Sequence, residues 1–402
     1  MKPELLRSSR TAVCLAACLA LCLTVAGCGG GGSASSGGGQ VPTTDPSNPA
    51  GPGHFETAIF IRTVSAGEVA AALPAEVTSV LKPLYAVDTY KLTYTTTDAS
   101  GHSVTASGLA AIPRKTTGLA SPLLSYQHAT AKTDAEAPSN HATADEPAVL
   151  FASLGYLVSA ADYVGYGASK GSPHPYLLAA PTAASVADFM TASARWRKTA
   201  AIADNGQLFL TGYSEGAYAT IATLRSLTQN QSAASPLPVS TFAGAGPYDV
   251  ALTLNYLLAV ISQQNPTLGA IISPGFLKNL GANDRANVRK LLLFAALGTQ
   301  SDISFDPTFL DNFLNDDTAA IAAQSSVYDW TPQSPIVFFA GRDDTTVPYA
   351  NTDSIFQAMS NRGAAAFIAR IDCPATPSEH LACVPSFLIN DIARLGALAK
   401  GL

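Results

Sequence analysis

Basic charge is scarce in this sequence. Of 402 residues, 23 are Lys or Arg against 29 Asp or Glu, a formal net charge of −6. A nucleic-acid binder needs a basic face to neutralise phosphates, and this balance argues against one. It argues equally against a polybasic membrane-surface module. Charged residues of either sign make up only 13%, while hydrophobic ones make up 47%, too apolar for wholesale disorder. Beyond the first 27 residues no segment is long and apolar enough to span a bilayer. Cysteine is sparse too, with 6 in all. Structural zinc wants about four ligands, and no set of cysteine pairs is present to supply them. The length fits one large domain or two ordinary ones, with ample core either way.

What the sequence does have begins at the N-terminus. Lys2, Arg7 and Arg10 form a positive head. Residues 11–27 are apolar and end in small residues, the pattern of a cleaved signal. Val25-Ala26-Gly27-Cys28 resembles the lipobox of bacterial lipoproteins, which implies an exported chain acylated on Cys28. An ordinary signal peptide or a short membrane anchor is the alternative. Gly29, where Asp would retain a Gram-negative lipoprotein at the inner membrane, implies outer-membrane sorting. Residues 28–54 are dense in Gly, Ser and Pro and are expected to be a flexible tether. The folded body is expected over 55–402. Cys14, Cys18 and Cys22 leave with the signal and Cys28 takes lipid, so Cys373 and Cys383 remain. Export permits a disulfide between them, with two free thiols as the alternative.

Along the body, residues 86–98 alternate, an Asp-Ala-Ser-Gly turn follows, and 103–113 completes a predicted opening β-hairpin. Short apolar runs recur at 122–126, 157–161, 208–211, 239–244, 336–340 and 365–371. Helix-like stretches lie at 144–153, 180–199, 215–229, 350–362 and 381–401. A hairpin followed by alternating β and α predicts an α/β fold, a mostly parallel sheet wrapped by helices. The interval 248–330 breaks the rhythm and is expected to be a helical cap insertion.

Gly-x-Ser-x-Gly occurs twice, centred on Ser169 and Ser214. The motif serves as a nucleophile elbow only at a tight strand-to-helix turn. Ser214 follows the apolar run 207–211 and precedes a clean helix pattern. Ser169 runs into Ser-Pro-His-Pro-Tyr, where two prolines forbid an immediate helix, so it is expected in a loop. A serine hydroxyl needs a base, and in this architecture acid and His follow Ser in the chain. Of six histidines only His380 comes after Ser214. The acid belongs after the next-to-last strand, where Asp343 and Asp344 both qualify. Gly-x-x-Asp-x-x-Val-Pro favours Asp344 and leaves Asp343 as a turn-former or solvated neighbour. Bridging Cys373 and Cys383 would close a short loop around His380. An oxyanion hole needs two aimed N–H groups. Glu215 is expected to give one, and Ala129 or Thr130 the other. His128 is read as packing that loop.

At this point SYQHAT, ADYVGYGASKGSPHPYL, LTGYSEGAYA, FAGAGPYDV and WTPQSPIVFFAGRDDTTVP resemble the secretory lipase (lipase A-like) branch of the α/β-hydrolases, from about residue 84 to the C-terminus. The resemblance implies an α/β-hydrolase fold and Ser214, Asp344 and His380 as a triad. It implies hydrolysis of carboxylic esters, with a cap over the acyl-chain site; the apolar character of 248–330 favours hydrophobic acyl groups. It calls for no cofactor, metal or obligate protein partner. Ala129 stands where the family often has Gly. Glu215 replaces a small residue, with its side chain expected toward solvent or the substrate entrance. Two rivals are a serine peptidase of the prolyl-oligopeptidase kind, for whose propeller there is no room, and a non-catalytic binding lipoprotein. A dinucleotide enzyme fails for want of a Gly-rich turn after an early strand.

Overall fold

Alternation decides the first part of the body. In the predicted hairpin, β2 (Val87–Thr97) and β3 (Ser103–Pro113) pair antiparallel in unbroken register from Val87 opposite Pro113 to Thr97 opposite Ser103. These and all other observations come from a computed structural model that describes residues 46–116, 119–231, 237–264, 277–297 and 301–402. The expected signal segment, Cys28 and the tether as far as residue 45 lie outside the described residues. Residues 46–54 are turns already held to the body. The Asn48 side chain donates to the Phe55 carbonyl at 2.8 Å, and the Gly53 N–H donates to the Thr95 carbonyl at 2.8 Å.

One sheet of nine strands runs in the order β1-β2-β3-β5-β4-β6-β7-β8-β9. β1 (Phe55–Val64) was not foreseen as a strand. It is an edge strand whose Ile59, Phe60 and Ile61 are all exposed, so no alternation marks it in the sequence. β4 (Ser121–Gln127), β5 (Leu157–Ala161), β6 (Asp204–Tyr213), β7 (Ser240–Gly244), β8 (Ile336–Ala340) and β9 (Ile368–Asp372) are mutually parallel. They are the six predicted apolar runs, with β6 longer at both ends and β9 starting three residues later than its run. Strands buried on both faces read as continuous apolar stretches, and β5 and β7 are buried at every position.

Helices cover both faces. Ala179–Thr199 and Glu215–Gln229 lie near the predicted bounds. Pro147–Ser153 starts later than expected, because Glu146 is its N-cap and Pro147 its first residue. Val384–Leu398 also starts later, with Pro385 in its first turn.

The insertion lies between β7 and β8. It contains Val250–Gln264, Ala282–Leu297 and Thr308–Leu314 and closes through a π turn at Ile321–Ser325. Val250, Leu254, Leu257, Leu258 and Ile261 form one buried helical face. That face joins the same apolar cluster as Leu210 of β6, Ala243 of β7 and Phe338 of β8. The insertion thus shares the body's core, and the described residues from 46 to 402 form one compact unit. Among the described residues no helix is long and apolar enough to cross a membrane.

The parallel strands bring the chemistry together. The loops leaving the C-terminal ends of β4, β6, β8 and β9 carry His128–Thr130, Ser214, Asp344 and His380. Ligands of open α/β sheets bind at such ends.

Candidate active site

Ser214 sits between the end of β6 and the helix Glu215–Gln229 with φ 58° and ψ −124°. A non-glycine residue held there costs about 1–3 kcal/mol and persists only where its surroundings over-determine it. Here the Ser214 N–H donates to the Gly244 carbonyl at 2.8 Å, and its own carbonyl accepts from Ala217 at 3.0 Å and Tyr218 at 3.2 Å. Its two flanking glycines are needed for space. A Cβ on Gly212 would overlap the Gly216 backbone, and one on Gly216 would overlap the Gln127 carbonyl. The turn therefore lifts the hydroxyl out of the sheet while the backbones behind it touch.

His380 and Asp344 meet that hydroxyl. His380 Nε2 lies 2.9 Å from Ser214 Oγ, and His380 Nδ1 lies 2.6 Å from Asp344 Oδ2. Asp344 is itself fixed, since its Oδ1 accepts from the N–H groups of Thr346 and Val347, each at 2.8 Å. With the acid accepting from the backbone and from Nδ1–H, the imidazole presents a lone pair at Nε2 to the serine proton. Asp343 points elsewhere. Its Oδ2 accepts from the Ser378 N–H at 2.8 Å and hydroxyl at 2.9 Å, and these bonds hold its carboxyl below the usual carboxylate range. It ties down the loop that carries His380. Tyr213 steadies the same loop by donating to the His380 carbonyl at 2.7 Å. Cys373 and Cys383 are disulfide-bonded, with Cα atoms 5.8 Å apart, and bracket His380.

Ser169 lies away from this constellation, in a 3-10 turn after β5. Its hydroxyl accepts from the Gly165 N–H at 3.0 Å and donates to the Tyr166 carbonyl at 2.9 Å. It is a buried loop-former.

Beside Ser214, the loop after β4 supplies the other expected donors. Thr130 lines the same cleft as Ser214, whereas Ala129 is exposed and is absent from that cleft's walls; both residues line a second, more open hollow on this loop. The Glu215 N–H opens a helix and has no intrahelical acceptor. His128 packs this loop as expected. Its ring stacks on Tyr163 at 4.1 Å, and its Nδ1 and Nε2 meet the carbonyls of Ala129 at 2.7 Å and Asp162 at 3.1 Å. Burial pushes the His128 imidazole below its ordinary pKa, favouring the neutral ring.

The Glu215 side chain departs from expectation. It does not face solvent or the substrate entrance. It is 2% exposed, and its Oε1 lies 2.8 Å from Nε2 of His174, which is 1% exposed. A carboxylate facing inward needs a buried partner, and the loop 163–178 brings one. His174 was missed because it precedes Ser214 by 40 positions and lies in a proline-rich loop. The one signal available was a charged residue at an elbow position that must be buried.

The rest of the cleft is mostly apolar, with Leu177, Pro247, Leu254, Leu257, Phe309 and Val347 in its walls. Leu254, Leu257 and Phe309 come from the insertion.

No protein-family model matches this chain, and no curated protein matches it. Solved structures do. The rice cell wall degrading esterase LipA from Xanthomonas oryzae is 22% identical, with a TM-score of 0.69 over 87% of this chain and 100% of that one. Candida antarctica lipase A in its closed state is 18% identical, with a TM-score of 0.55 over 85% of this chain and 82% of that one. Likeness at this identity defines the architecture. The chain has the α/β-hydrolase fold, with a helical insertion ahead of β8.

Proposed function

We propose that this protein is a serine hydrolase of carboxylic esters, an esterase or lipase. The observation that carries the reading is the hydrogen-bonded chain from Ser214 Oγ through His380 to Asp344, on a strained turn and open to an apolar cleft. The esterase and lipase activities named for the two solved neighbours agree with it.

In this mechanism His380 Nε2 takes the Ser214 proton as Oγ attacks the ester carbonyl carbon. The N–H groups of Glu215 and Thr130 receive the negative charge that develops on the carbonyl oxygen, with Ala129 as the alternative loop donor. Asp344 holds the imidazole in the correct tautomer and stabilises its charged form. The imidazolium gives its proton to the departing alkoxide, leaving an acyl-enzyme on Ser214. Water, deprotonated by His380, then attacks the acyl carbon; the acyl–Oγ bond breaks, the imidazolium returns the proton to Ser214 Oγ, and the acid is released. No cofactor or metal takes part. Leu254, Leu257 and Phe309 give the acyl portion an apolar wall, which favours hydrophobic esters.

We further propose that the chain is exported, cleaved before Cys28 and lipid-anchored to the bacterial envelope at the outer membrane. The lipobox-like Val25–Cys28 stretch supports this. Loss of membrane fractionation and of metabolic palmitate labelling in Cys28→Ser would be the expected result, and retention of both would sink the anchor.

The deciding experiment is hydrolysis of p-nitrophenyl esters from acetate to palmitate by wild type and Ser214→Ala. Ester turnover that vanishes in the variant is expected, and the preferred chain length separates esterase from lipase. Cleavage of prolyl amides with no ester turnover would replace the reading with a peptidase. Absence of both, with no fluorophosphonate labelling, would leave a binding protein.

A further inference from the structure

The side chain beside the Ser214 elbow reaches a single imidazole on which three parts of the molecule converge. Glu215 Oε1 lies 2.8 Å from His174 Nε2, and His174 Nδ1 donates to the Val164 carbonyl at 2.8 Å. One proton is therefore shared between Nε2 and Oε1. The second carboxylate oxygen, Oε2, is buried with no partner among the described residues. A half-satisfied buried polar pair is a poor way to hold a fold together, and an apolar pair of equal volume does it as well or better. What this pair supplies is direction, for it fixes the residue whose N–H stands next to Ser214.

The same ring backs the opposite donor loop. Tyr163 lies parallel to His174 at 5.9 Å, and Tyr166 meets it edge-on at 5.0 Å. Their hydroxyls donate to the carbonyls of His128 at 3.1 Å and Ala131 at 2.7 Å, the residues that flank Ala129 and Thr130. The insertion grips His174 from the third side. The His174 N–H donates to the Ser304 carbonyl at 2.7 Å, and its carbonyl accepts from Asp306 at 2.8 Å. The Phe305 ring lies edge-on at 5.6 Å.

We propose that His174 and Glu215 are positioning residues that hold the two oxyanion donors in register, and that the seating of Ser304–Asp306 of the insertion sets that register. This rests on the ester-hydrolase reading. The cap thereby acts on the rate of the chemical step, in addition to walling the acyl chain.

The test compares wild type, Ser214→Ala, Glu215→Ala, Glu215→Gln, His174→Ala and Phe305→Ala on p-nitrophenyl butyrate. Rates are normalised to sites labelled by fluorophosphonate, except for Ser214→Ala, which has no such site and is normalised to protein concentration, and the affinity of phenylboronic acid, a tetrahedral adduct former, is measured alongside. Glu215→Ala and His174→Ala are expected to lose about 10- to 100-fold in kcat, with KM within about threefold and boronate affinity weakened by the same factor as kcat. Glu215→Gln, whose amide can donate to a neutral His174, is expected to recover most of the loss. Phe305→Ala removes edge contacts to His174 and Tyr176 and no polar group, so it remains informative where the buried-pair variants fail to fold. It is expected to lower kcat and boronate affinity together by about threefold or more. Unchanged kcat and boronate affinity per labelled site in Phe305→Ala, or in folded Glu215→Ala, would overturn the assignment. Wild-type ester turnover that survives in Ser214→Ala, or is absent, overturns the hydrolase reading itself and this assignment with it.

Discussion

Residues 167–171 and 212–216 carry the same Gly-x-Ser-x-Gly pattern, and their glycines answer different needs. At Gly167 and Gly171 the need is conformational, with φ at 56° and 98°, and Gly167 also lacks room, since a Cβ there would overlap Ser107 Oγ and Asp162 Oδ2. Gly171 has open space where a Cβ would go. At Gly212 and Gly216 the need is room, because backbones cross there, and the unusual dihedral falls on the serine itself. In the first segment the serine hydroxyl is consumed by three backbone groups of its own loop. In the second it is offered to an imidazole 166 positions away. A pentapeptide thus specifies neither a turn nor a chemistry. The strand before it and the helix after it do, by deciding whether the serine or its neighbours carry the strain.

The sharpest way to break that comparison is to remove each hydroxyl. Ser214→Ala should lower kcat for p-nitrophenyl butyrate by at least about a thousandfold, as for other serine nucleophiles. Ser169→Ala should leave kcat per labelled site within about threefold and instead cost about 1–3 kcal/mol in urea unfolding, because the Gly165 N–H loses its acceptor. A large kcat loss in Ser169→Ala, without unfolding, would erase the distinction.

The two neighbouring aspartates extend it. Asp344→Asn should drop kcat by about a thousandfold or more by presenting the wrong imidazole tautomer. Asp343→Asn should act through the loop alone, with a several-fold change at most. Equal losses would mean that the loop's rigidity, not the acid, is what matters.

The disulfide offers a middle-sized test. Cys373→Ser with Cys383→Ser should cost about 2–3 kcal/mol in the chain-entropy view of a short loop. Kcat should fall as His380 gains freedom, with Ser169→Ala as the control that loses stability only.

The last test reads stability against pH, with no change in kcat expected, and it belongs to the hollow that Glu146 lines with His128 and Thr130. Burial raises the Glu146 carboxyl from 4.5 to about 8, so the folded protein holds a proton there that the unfolded chain releases. This contribution is complete below pH 4.5 and is lost as pH rises through about 8, on the order of a few kcal/mol in total. Glu146→Gln should flatten thermal stability across that window without moving kcat. An unchanged slope would refute it.

Much of this fold is written locally. The hairpin alternates, the parallel strands are short apolar runs, and Pro173 and Pro175 bar a helix after Ser169. The edge strand β1 was not legible, because an edge with both faces open to solvent lacks the period that burial imposes. The approach of Ser214, Asp344 and His380 was legible as an order of residue types at strand ends. The choice between Asp343 and Asp344 rested on a pattern in the sequence and is a matter of hydrogen bonds in the fold.

By itself the sequence singled out Ser214, Asp344 and His380 as candidates, since strand–turn–helix context is local and only one histidine follows Ser214. Only the tertiary structure decided where the Glu215 carboxylate goes. Its partner His174 is 41 residues away along the chain, and no periodicity links them. A buried charge selects its partner by desolvation and geometry, and both exist only once the loop, the elbow and the insertion have packed together.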